Sequence, residues 1–298
     1  MKLVSIFLMV ALFFTAIPMA ADNDPSGPWC NCDFLVYGEF LYWDLHQNSG
    51  EWRSTFSNPN DETVQFASDY QPGYRVGGIL KGACAQLHVR YTSLDSDKFF
   101  SKDFFRTAGD RFLLRKKFDY SVLDISVGKD ISFKRICGSV EPYIGVKLAW
   151  IQEETRSESL FVNPSRIDYT NKFCGYGLNF GSSLALQLWK YCIPTYFVAD
   201  LSCALLKGSF QTQADASAPV LPGNYEDITL LVCVPNLYVG LNFDLCSTRC
   251  FSFDLAVGYE AQLWTGYFFP FPFAYYVGQR KSGSLGIDGL TIRLAIGF

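Results

Sequence analysis

The chain has 298 residues, of which 49% are hydrophobic and 18% are charged, and its formal net charge at pH 7 is -4. No basic cluster has the density that phosphate binding needs, which argues against nucleic acid as a partner. After the first residues no apolar run reaches about eighteen residues, which excludes a helical membrane protein. An aromatic content of 17% without spanning helices fits a β-barrel with aromatic girdles at its rims, although composition alone also fits a secreted β-sandwich.

The first residues have the pattern of a secretory signal peptide. Met1-Lys2 supplies a charged start, residues 3–17 form an apolar core, and Pro18-Met19-Ala20-Ala21 offers small residues for cleavage. A membrane anchor is the weaker alternative, because the apolar stretch is short and an acidic segment follows it. We expect cleavage after Ala20 or Ala21. The predicted organisation is a signal peptide over 1–21, a periplasmic N-terminal segment over 22–33 and one barrel over 34–298.

Ten segments have strand character. In the last, residues 290–298, large apolar residues alternate with small or polar ones, and Phe298 ends the chain on the apolar face. A terminal aromatic residue of this kind is typical of outer-membrane barrels. The other segments are approximately residues 34–43, 74–80, 83–92, 118–128, 139–151, 174–186, 195–207, 232–243 and 252–263.

The connections between these segments alternate in length. The long ones are 44–73, 93–117, 152–173, 208–231 and 264–288, and the short ones are 81–82, 129–138, 187–194 and 244–251. Outer-membrane barrels have long external loops and short periplasmic turns. The sequence therefore predicts an all-β fold, a closed antiparallel transmembrane barrel of ten strands with both ends periplasmic, in the outer membrane of a Gram-negative bacterium. A further hairpin within 44–73 or 152–173 would raise the count to twelve.

Six short motifs, in one order along the chain, resemble the pore-forming outer-membrane proteins typified by the Legionella major outer membrane protein, which have relatives in chlamydia-like bacteria. The motifs are Gly38-Glu39-Phe40-Leu41-Tyr42-Trp43, Val122-Leu123-Asp124-Ile125-Ser126-Val127-Gly128, Glu141-Pro142-Tyr143-Ile144-Gly145-Val146-Lys147, Gly175-Tyr176-Gly177-Leu178-Asn179-Phe180-Gly181, Ala256-Val257-Gly258-Tyr259-Glu260 leading to Trp264, and Gly289-Leu290-Thr291-Ile292-Arg293-Leu294. Each is degenerate, so the specificity lies in the series. The resemblance implies a diffusion pore for small solutes. The high cysteine count departs from the family pattern and leaves the cross-linking behaviour open.

If the apolar stripe of each strand faces lipid, the other stripe lines the lumen. The predicted pore-lining ionisable residues are then Glu39, Arg75, His88, Arg90, Asp124, Glu141, Lys147, Asp200, Asp254, Glu260 and Arg293. Apart from the histidine, acidic residues outnumber basic ones by six to four, so a channel should favour cations mildly. Alternatively these groups pair across the lumen and close it, because a ten-stranded barrel is little wider than one filled by side chains. The second functional hypothesis is accordingly a non-conducting barrel that acts as a surface scaffold or adhesin.

The sequence predicts neither an enzyme nor a cofactor. His46 lies just past the first strand and His88 within the third, but Ser93 falls on the opposite face from His88 and no Gly-x-Ser-x-Gly occurs. Cys30-Asn31-Cys32 and the Cys246–Cys250 pair lack the companion histidines of a zinc site.

All ten cysteines lie after the signal peptide, so secretion would expose them to an oxidising compartment. The disulfide candidates are the six on the expected periplasmic side, which could bond within the barrel or to other cysteine-rich envelope proteins: Cys30, Cys32, Cys137, Cys192, Cys246 and Cys250. By strand parity Cys174, Cys203 and Cys233 should face lipid as small apolar fillers, and Cys84 should face the lumen.

Besides other envelope proteins, the expected partners of the chain are outer-membrane lipid and the barrel-assembly machinery.

The last long connection begins with the aromatic run Tyr267-Phe268-Phe269-Pro270-Phe271-Pro272-Phe273-Ala274-Tyr275-Tyr276. Such a patch would be costly in water. We expect it to fold into the barrel mouth as a constriction, and the alternative is that it binds a surface.

Overall fold

A computed structural model describes residues 33–47, 52–53, 63–64, 70–82, 84–103, 111–133, 137–159, 165–216, 224–248, 251–268 and 282–298. The predicted signal peptide and all of the 22–33 segment except Asp33 lie outside these ranges. Within the ranges, no helix is long and apolar enough to cross a membrane.

The described residues form thirteen strands. They are β1 (Asp33–Gln47), β2 (Trp52–Arg53), β3 (Thr63–Val64), β4 (Gln71–Lys81), β5 (Gln86–Asp103), β6 (Arg111–Gly128), β7 (Ile131–Phe133), β8 (Gly138–Ser159), β9 (Ser165–Trp189), β10 (Thr195–Ala216), β11 (Asn224–Ser247), β12 (Ser252–Phe268) and β13 (Ser282–Gly297).

Ten of these strands form a closed antiparallel barrel in the order β1, β4, β5, β6, β8, β9, β10, β11, β12 and β13. Two pairings close it: β13 with β1, and β6 with β8, where the register runs unbroken from Phe112↔Ser159 to Gly128↔Tyr143. The predicted ten-stranded barrel is confirmed. The twelve-stranded alternative is wrong, because β2 and β3 pair with each other in a separate ribbon and residues 152–173 belong largely to the β8–β9 hairpin.

The two ends of the barrel differ. One end, which we call the terminal end, holds the start of β1, the end of β13 and the connections 82–85, 129–137, 190–194 and 248–251. The opposite end, the hairpin end, holds the connections that the sequence predicts to be long. The chain closes at the terminal end, where Phe34 and Phe298 exchange two backbone hydrogen bonds of 3.2 and 2.8 Å.

The strands run further toward the hairpin end than the sequence predicts. β5 and β6 stay paired as far as Asp103↔Arg111, and β8 and β9 as far as Ser159↔Ser165. Most of the predicted loops 93–117, 152–173 and 208–231 are therefore strand. Apolar and polar residues alternate along a strand only where one face meets lipid. Beyond the membrane this alternation is lost, although the hydrogen bonds between the strands continue.

One predicted strand begins too early. The segment 83–92 starts as strand only at Gln86, and Cys84 lies in an exposed bend of the β4–β5 turn. The prediction that Cys84 faces the lumen is therefore wrong. The polar–apolar alternation of the sequence extends from the strand back into the β4–β5 turn, where it no longer indicates the direction of a side chain.

The outer wall carries an apolar band of membrane thickness. On β8 the outward residues from Val140 to Trp150 are apolar, and Ile144 is 61% exposed. Ten residue steps of about 3.3 Å, tilted by about 40°, span about 25 Å, which is the height of the apolar band in outer-membrane barrels.

Aromatic rings gather at both rims of this band. Toward the hairpin end Tyr42 stacks on Tyr70, with ring centroids 5.0 Å apart, and Tyr74 lies 6.5 Å from Tyr91. At the terminal end the outward-facing Phe298 meets the Phe251 ring edge to face, at 6.2 Å. Aromatic girdles of this kind mark the two membrane–water interfaces.

Close strand packing at Gly177 gives a stability prediction. A Cβ atom on Gly177 would collide with the carbonyl oxygen of Leu205 and lie 2.8 Å from the Cα of Leu206, on the neighbouring β10. We expect G177A to lower the free energy of unfolding by about 1–3 kcal/mol. Gly38 has no atom within 4 Å of its Cβ position, so G38A is the matched control. Urea unfolding of the refolded barrel in detergent measures both, and equal shifts in the two variants would contradict the close approach.

The orientation of the barrel can be tested at Cys192, which is exposed in the terminal-end turn between β9 and β10. In a variant whose only cysteine is Cys192, we expect a membrane-impermeant maleimide to label the protein after the outer membrane is permeabilised and not on intact cells. A matched variant carries its only cysteine at the exposed Asp97 on the β5–β6 hairpin and should be labelled on intact cells. The reverse pattern would invert the topology.

Candidate functional site

The candidate site is the barrel lumen. All eleven predicted pore-lining residues fall on the strand positions that alternate toward the interior, in phase with buried neighbours on their own strands. They do not form one group. They divide into two buried clusters at mid-barrel and a set of contacts nearer the terminal end.

Arg75 is the centre of the first cluster. Its Nη1 donates to Glu39 Oε2 at 2.7 Å and to Glu260 Oε2 at 2.8 Å, and its Nη2 donates to Glu260 Oε1 at 3.0 Å. Glu260 comes from β12, three positions around the barrel from β4, so the pairing crosses the lumen. A bidentate guanidinium–carboxylate pair is strong and directional.

Further contacts fix the Arg75 side chain. Its Nε donates to Thr92 Oγ1 at 2.9 Å, and its guanidinium lies 5.2 Å from the centre of the Trp43 ring. Arg75 is 3% exposed and Glu260 1%. Water therefore has almost no access to the cluster, and every displacement of Arg75 breaks contacts with several strands at once.

Asp124 organises the second cluster on the neighbouring wall. Its two oxygens lie 2.8 Å from Lys147 Nζ and 3.2 Å from an Arg90 nitrogen, and Asn179 donates to it at 3.5 Å. The four residues come from four consecutive barrel strands, β5, β6, β8 and β9. A single carboxylate thus holds two cations in a low-dielectric interior, where each compensates part of its desolvation.

The remaining predicted lumen residues lie toward the terminal end. His88 Nε2 is 2.7 Å from Glu141 Oε1, but the two atoms do not have the geometry of a hydrogen bond. Asp200 accepts from Tyr143 at 3.0 Å and from Ser183 at 2.7 Å. Asp254 and Arg293 are half-buried, and Arg293 lies 4.0 Å from Glu39.

An apolar cap fills the lumen between the charged clusters and the hairpin end. The Phe173 ring is 4.7 Å from Phe210, 6.2 Å from Trp264 and 5.7 Å from Tyr267, and Tyr120 lies 5.8 Å from Trp264. All five are 3% exposed or less. Aliphatic residues complete the cap: Leu41, Leu94, Val122, Ala149, Ile151, Ala204, Leu206, Val232, Val234, Leu285 and Ile287.

Sequence reasoning missed the apolar cap. Where it crosses β8 and β10 both faces of the strand are apolar, as in Ala149-Trp150-Ile151 and Leu205-Leu206, so alternation carries no signal there. Glycines were the available clue. The Phe173 ring covers Gly175 on β9 and its partner Gly208 on β10, where a Cβ would meet the ring. Two glycines paired across neighbouring strands leave space for a large ring to lie flat.

The aromatic run of the last connection is partly described. Tyr267 belongs to β12 and is buried in the cap, 5.0 Å from Phe210, and the folding of the run into the barrel mouth stays a prediction. Residues 269–276 lie outside the described residues.

The described cysteines lie where the sequence predicts them, and Cys84 is the exception. Cys137, Cys192 and Cys246 are exposed free thiols at the terminal end, and Cys30, Cys32 and Cys250 lie outside the described residues. Cys174 is exposed on the lipid face as predicted. Cys203 and Cys233 also stand on that face but are half-buried against each other, with their Sγ atoms 3.4 Å apart.

The two histidines bind carboxylates. His46 Nε2 lies 2.9 Å from Asp288 and 3.4 Å from Asp44, and His88 contacts Glu141 as described above. Ser93 stands on the outward parity of β5, opposite to His88. In the ranges that the structure describes, no group of three or more His, Cys, Asp or Glu side chains could hold a metal ion.

Comparison with known proteins gives one family. Residues 28–298 match the family model described as Legionella pneumophila major outer membrane protein precursor. Among solved structures the chain is similar to the outer membrane protease OmpT from Escherichia coli, with 6% identity, a TM-score of 0.46 and coverage of 89% of this chain and 96% of that one. The translocator domain of the autotransporter NalP from Neisseria meningitidis gives 10% identity, a TM-score of 0.41 and coverage of 100% and 97%. No curated protein sequence matches the chain.

The Arg75 cluster gives a sharp stability prediction. R75M leaves Glu260 buried without a cation and leaves Glu39 with only Arg293, 4.0 Å away, so we expect the free energy of unfolding to fall by about 3–5 kcal/mol. The E39Q/R75M/E260Q triple variant removes the charges together and should recover most of the loss. R115M, which breaks the exposed Arg115–Asp97 pair at the hairpin end, should change little. Urea unfolding checks all three, and an equal loss for R115M would contradict the assignment.

Proposed function

Because the chain belongs to the family of the Legionella pneumophila major outer membrane protein, we propose that this outer-membrane barrel is a gated, porin-like protein through which small solutes and ions diffuse passively. The observation that carries the proposal is the charged interior at membrane depth. The rest of the lumen determines how such a pathway would open.

A charged interior is a costly way to fill a barrel. Apolar side chains of similar volume generally stabilise a core as well as, or better than, buried ion pairs. The Arg75 and Asp124 clusters are therefore poorly explained by stability alone. Two amide oxygens on inward-facing positions, Asn179 Oδ1 and Asn236 Oδ1, are buried without a hydrogen-bond partner among the described residues. Hydration of the lumen would satisfy them, so the interior is suited to an aqueous pathway.

The apolar cap serves as the gate in this proposal. In this proposal the conformation described is the closed one, because the side chains of the cap and of the Arg75 cluster are buried. Hydrophobic constrictions can gate channels by excluding water. The Phe173 ring is held by contacts with neighbouring rings, and Tyr120 donates a hydrogen bond to Gln262 at 2.9 Å. Movement of Phe173 and Trp264 would connect the Arg75 and Asp124 clusters to the hairpin end.

The proposed pathway favours cations mildly. Six acidic groups, Glu39, Asp124, Glu141, Asp200, Asp254 and Glu260, stand against four basic ones, Arg75, Arg90, Lys147 and Arg293. Much of this charge is paired, so the excess acidic field is weak and strong ion selectivity is not expected.

The same cap favours a second candidate function. A lumen packed with aromatic rings in a ten-stranded barrel also suits a permanently closed scaffold or adhesin that presents its hairpins outside the cell.

For both functions we propose that residues 1–21 are removed on export and that the barrel-assembly machinery inserts the chain. We also propose that Cys137, Cys192 and Cys246 are available for disulfides with other envelope proteins. The exposed positions of these three thiols support the last point.

Single-channel recording separates the two functions. We expect the refolded wild-type protein in a planar bilayer to show brief, weakly cation-selective openings. F173A/W264A, which empties part of the cap, should raise the open probability or the conductance severalfold. Trp150 faces outward and is 44% exposed, so W150A is the matched control for loss of a tryptophan and should record like the wild type.

The contrary result is equally clear. If the wild-type protein and F173A/W264A both insert, as shown by the mobility of the folded form on unheated gels, and both stay silent, the barrel does not conduct. The scaffold or adhesin function would then replace the pore.

A further inference from the structure

Two thiols on the lipid-facing wall lie in contact. Cys203 of β10 and Cys233 of β11 have their Sγ atoms 3.4 Å apart, and both side chains are half-buried. Sequence parity assigns them to the apolar face as fillers. Parity cannot show that residues thirty positions apart meet, because that depends on the β10–β11 register.

The register makes them diagonal neighbours. Cys203 is opposite Pro235, and Cys233 is opposite Leu205, so the two cysteines are offset by two residues on the same face of adjacent strands. Diagonal side chains in a twisted sheet can touch when they lean toward each other. The sulfur atoms would have to approach by roughly 1.3 Å more to reach the bonded separation of about 2.05 Å. Rotation of the two side chains would have to supply this approach.

The barrel wall is weak beside this pair. β11 pairs with β12 at Cys233↔Thr265 and again at Asn236↔Gln262, with no pairing for Val234 or Pro235 between them. Proline has no N–H to donate, which accounts for the interruption. The hydroxyl of Thr265 donates to the Cys233 carbonyl at 2.9 Å and replaces part of the lost ladder. A disulfide between Cys233 and Cys203 would hold β11 to β10 at the level of the barrel where the pairing of β11 with β12 is interrupted.

We propose that Cys203 and Cys233 form a disulfide bond in the mature protein, made by a disulfide-bearing oxidant in the periplasm before the wall is covered by lipid. One cysteine thiolate attacks the disulfide of the oxidant and displaces one of its sulfurs as a thiolate. The second cysteine thiolate attacks the mixed disulfide and displaces the other sulfur. The S–S bond of the oxidant is broken and one is formed in the barrel, two electrons pass to the oxidant, and the two protons end on its thiols.

This timing follows from the position of the pair. The reacting species is the thiolate, which is disfavoured in an apolar environment. Cys203 lies four residues from the outward-facing Lys207, about 13 Å along the strand toward the membrane interior. Oxidation therefore belongs to the stage at which β10 and β11 are paired and still reached by water. The inference is independent of whether the barrel conducts.

Differential alkylation of the protein from outer membranes tests the bond directly. The wild-type protein is extracted without reductant, denatured and treated with N-ethylmaleimide, then reduced, treated with iodoacetamide and analysed by peptide mass spectrometry. We expect Cys203 and Cys233 to carry the iodoacetamide label and Cys174, an exposed lipid-facing thiol, to carry the maleimide. A non-reduced digest should contain the peptide pair joined through Cys203 and Cys233.

Two variants identify the partner. In C203S, Cys233 should change from the iodoacetamide to the maleimide label, whereas in the control C174S both labels should stay as in the wild type. Maleimide on both Cys203 and Cys233 in the wild-type protein would overturn the proposal without any variant having to fold. Iodoacetamide on Cys233 in C203S would overturn it as well, because that thiol would then be bonded elsewhere.

Discussion

Every backbone N–H and C=O that crosses the hydrocarbon region must be paired, and a sheet can achieve this only by closing on itself. In this protein the closing pairs are β6 with β8 and β13 with β1, and the other features follow from them. Closure with ten strands fixes an interior narrow enough for side chains from opposite walls to meet. Arg75 can therefore reach Glu260, and the ring of Tyr120 can reach Trp264. The same closure leaves the apolar stripe no neighbour except lipid.

Two kinds of contact divide the lumen, and they respond differently to water. The Arg75 and Asp124 clusters hold buried charge by mutual compensation, so water entering them would replace contacts of comparable strength. The apolar cap gains its stability from excluding water and has little to offer an ion. A pathway through this barrel would thus be controlled by the cap, while the charges would determine which solutes tolerate the passage.

The sequence predicted the features that depend on a period of two. Ten strands were recognisable, and charged residues such as Glu39 and Lys147 could be assigned to the interior, because alternation survives wherever lipid meets one face. Strand ends were misplaced, as at Asp103 and Ser159, since no lipid maintains the pattern there. The cap was missed although its glycines offered a clue, and the Cys203–Cys233 contact could not be predicted. The cap lies where both faces are apolar, and the thiol contact depends on a register between strands rather than on any local pattern.

The unbroken register between β6 and β8 also limits how such a chain can diverge. Deleting one residue from a spanning strand would exchange its two faces from that point onward and turn groups such as Asp124 or Lys147 toward lipid. A basic residue at the bilayer midplane costs about 2–4 kcal/mol. Insertions and deletions are therefore tolerable mainly at the tips of the hairpins and in the terminal-end turns. Length variation among related barrels should accumulate there, so the two ends of the barrel that lie outside the membrane are the parts freest to change.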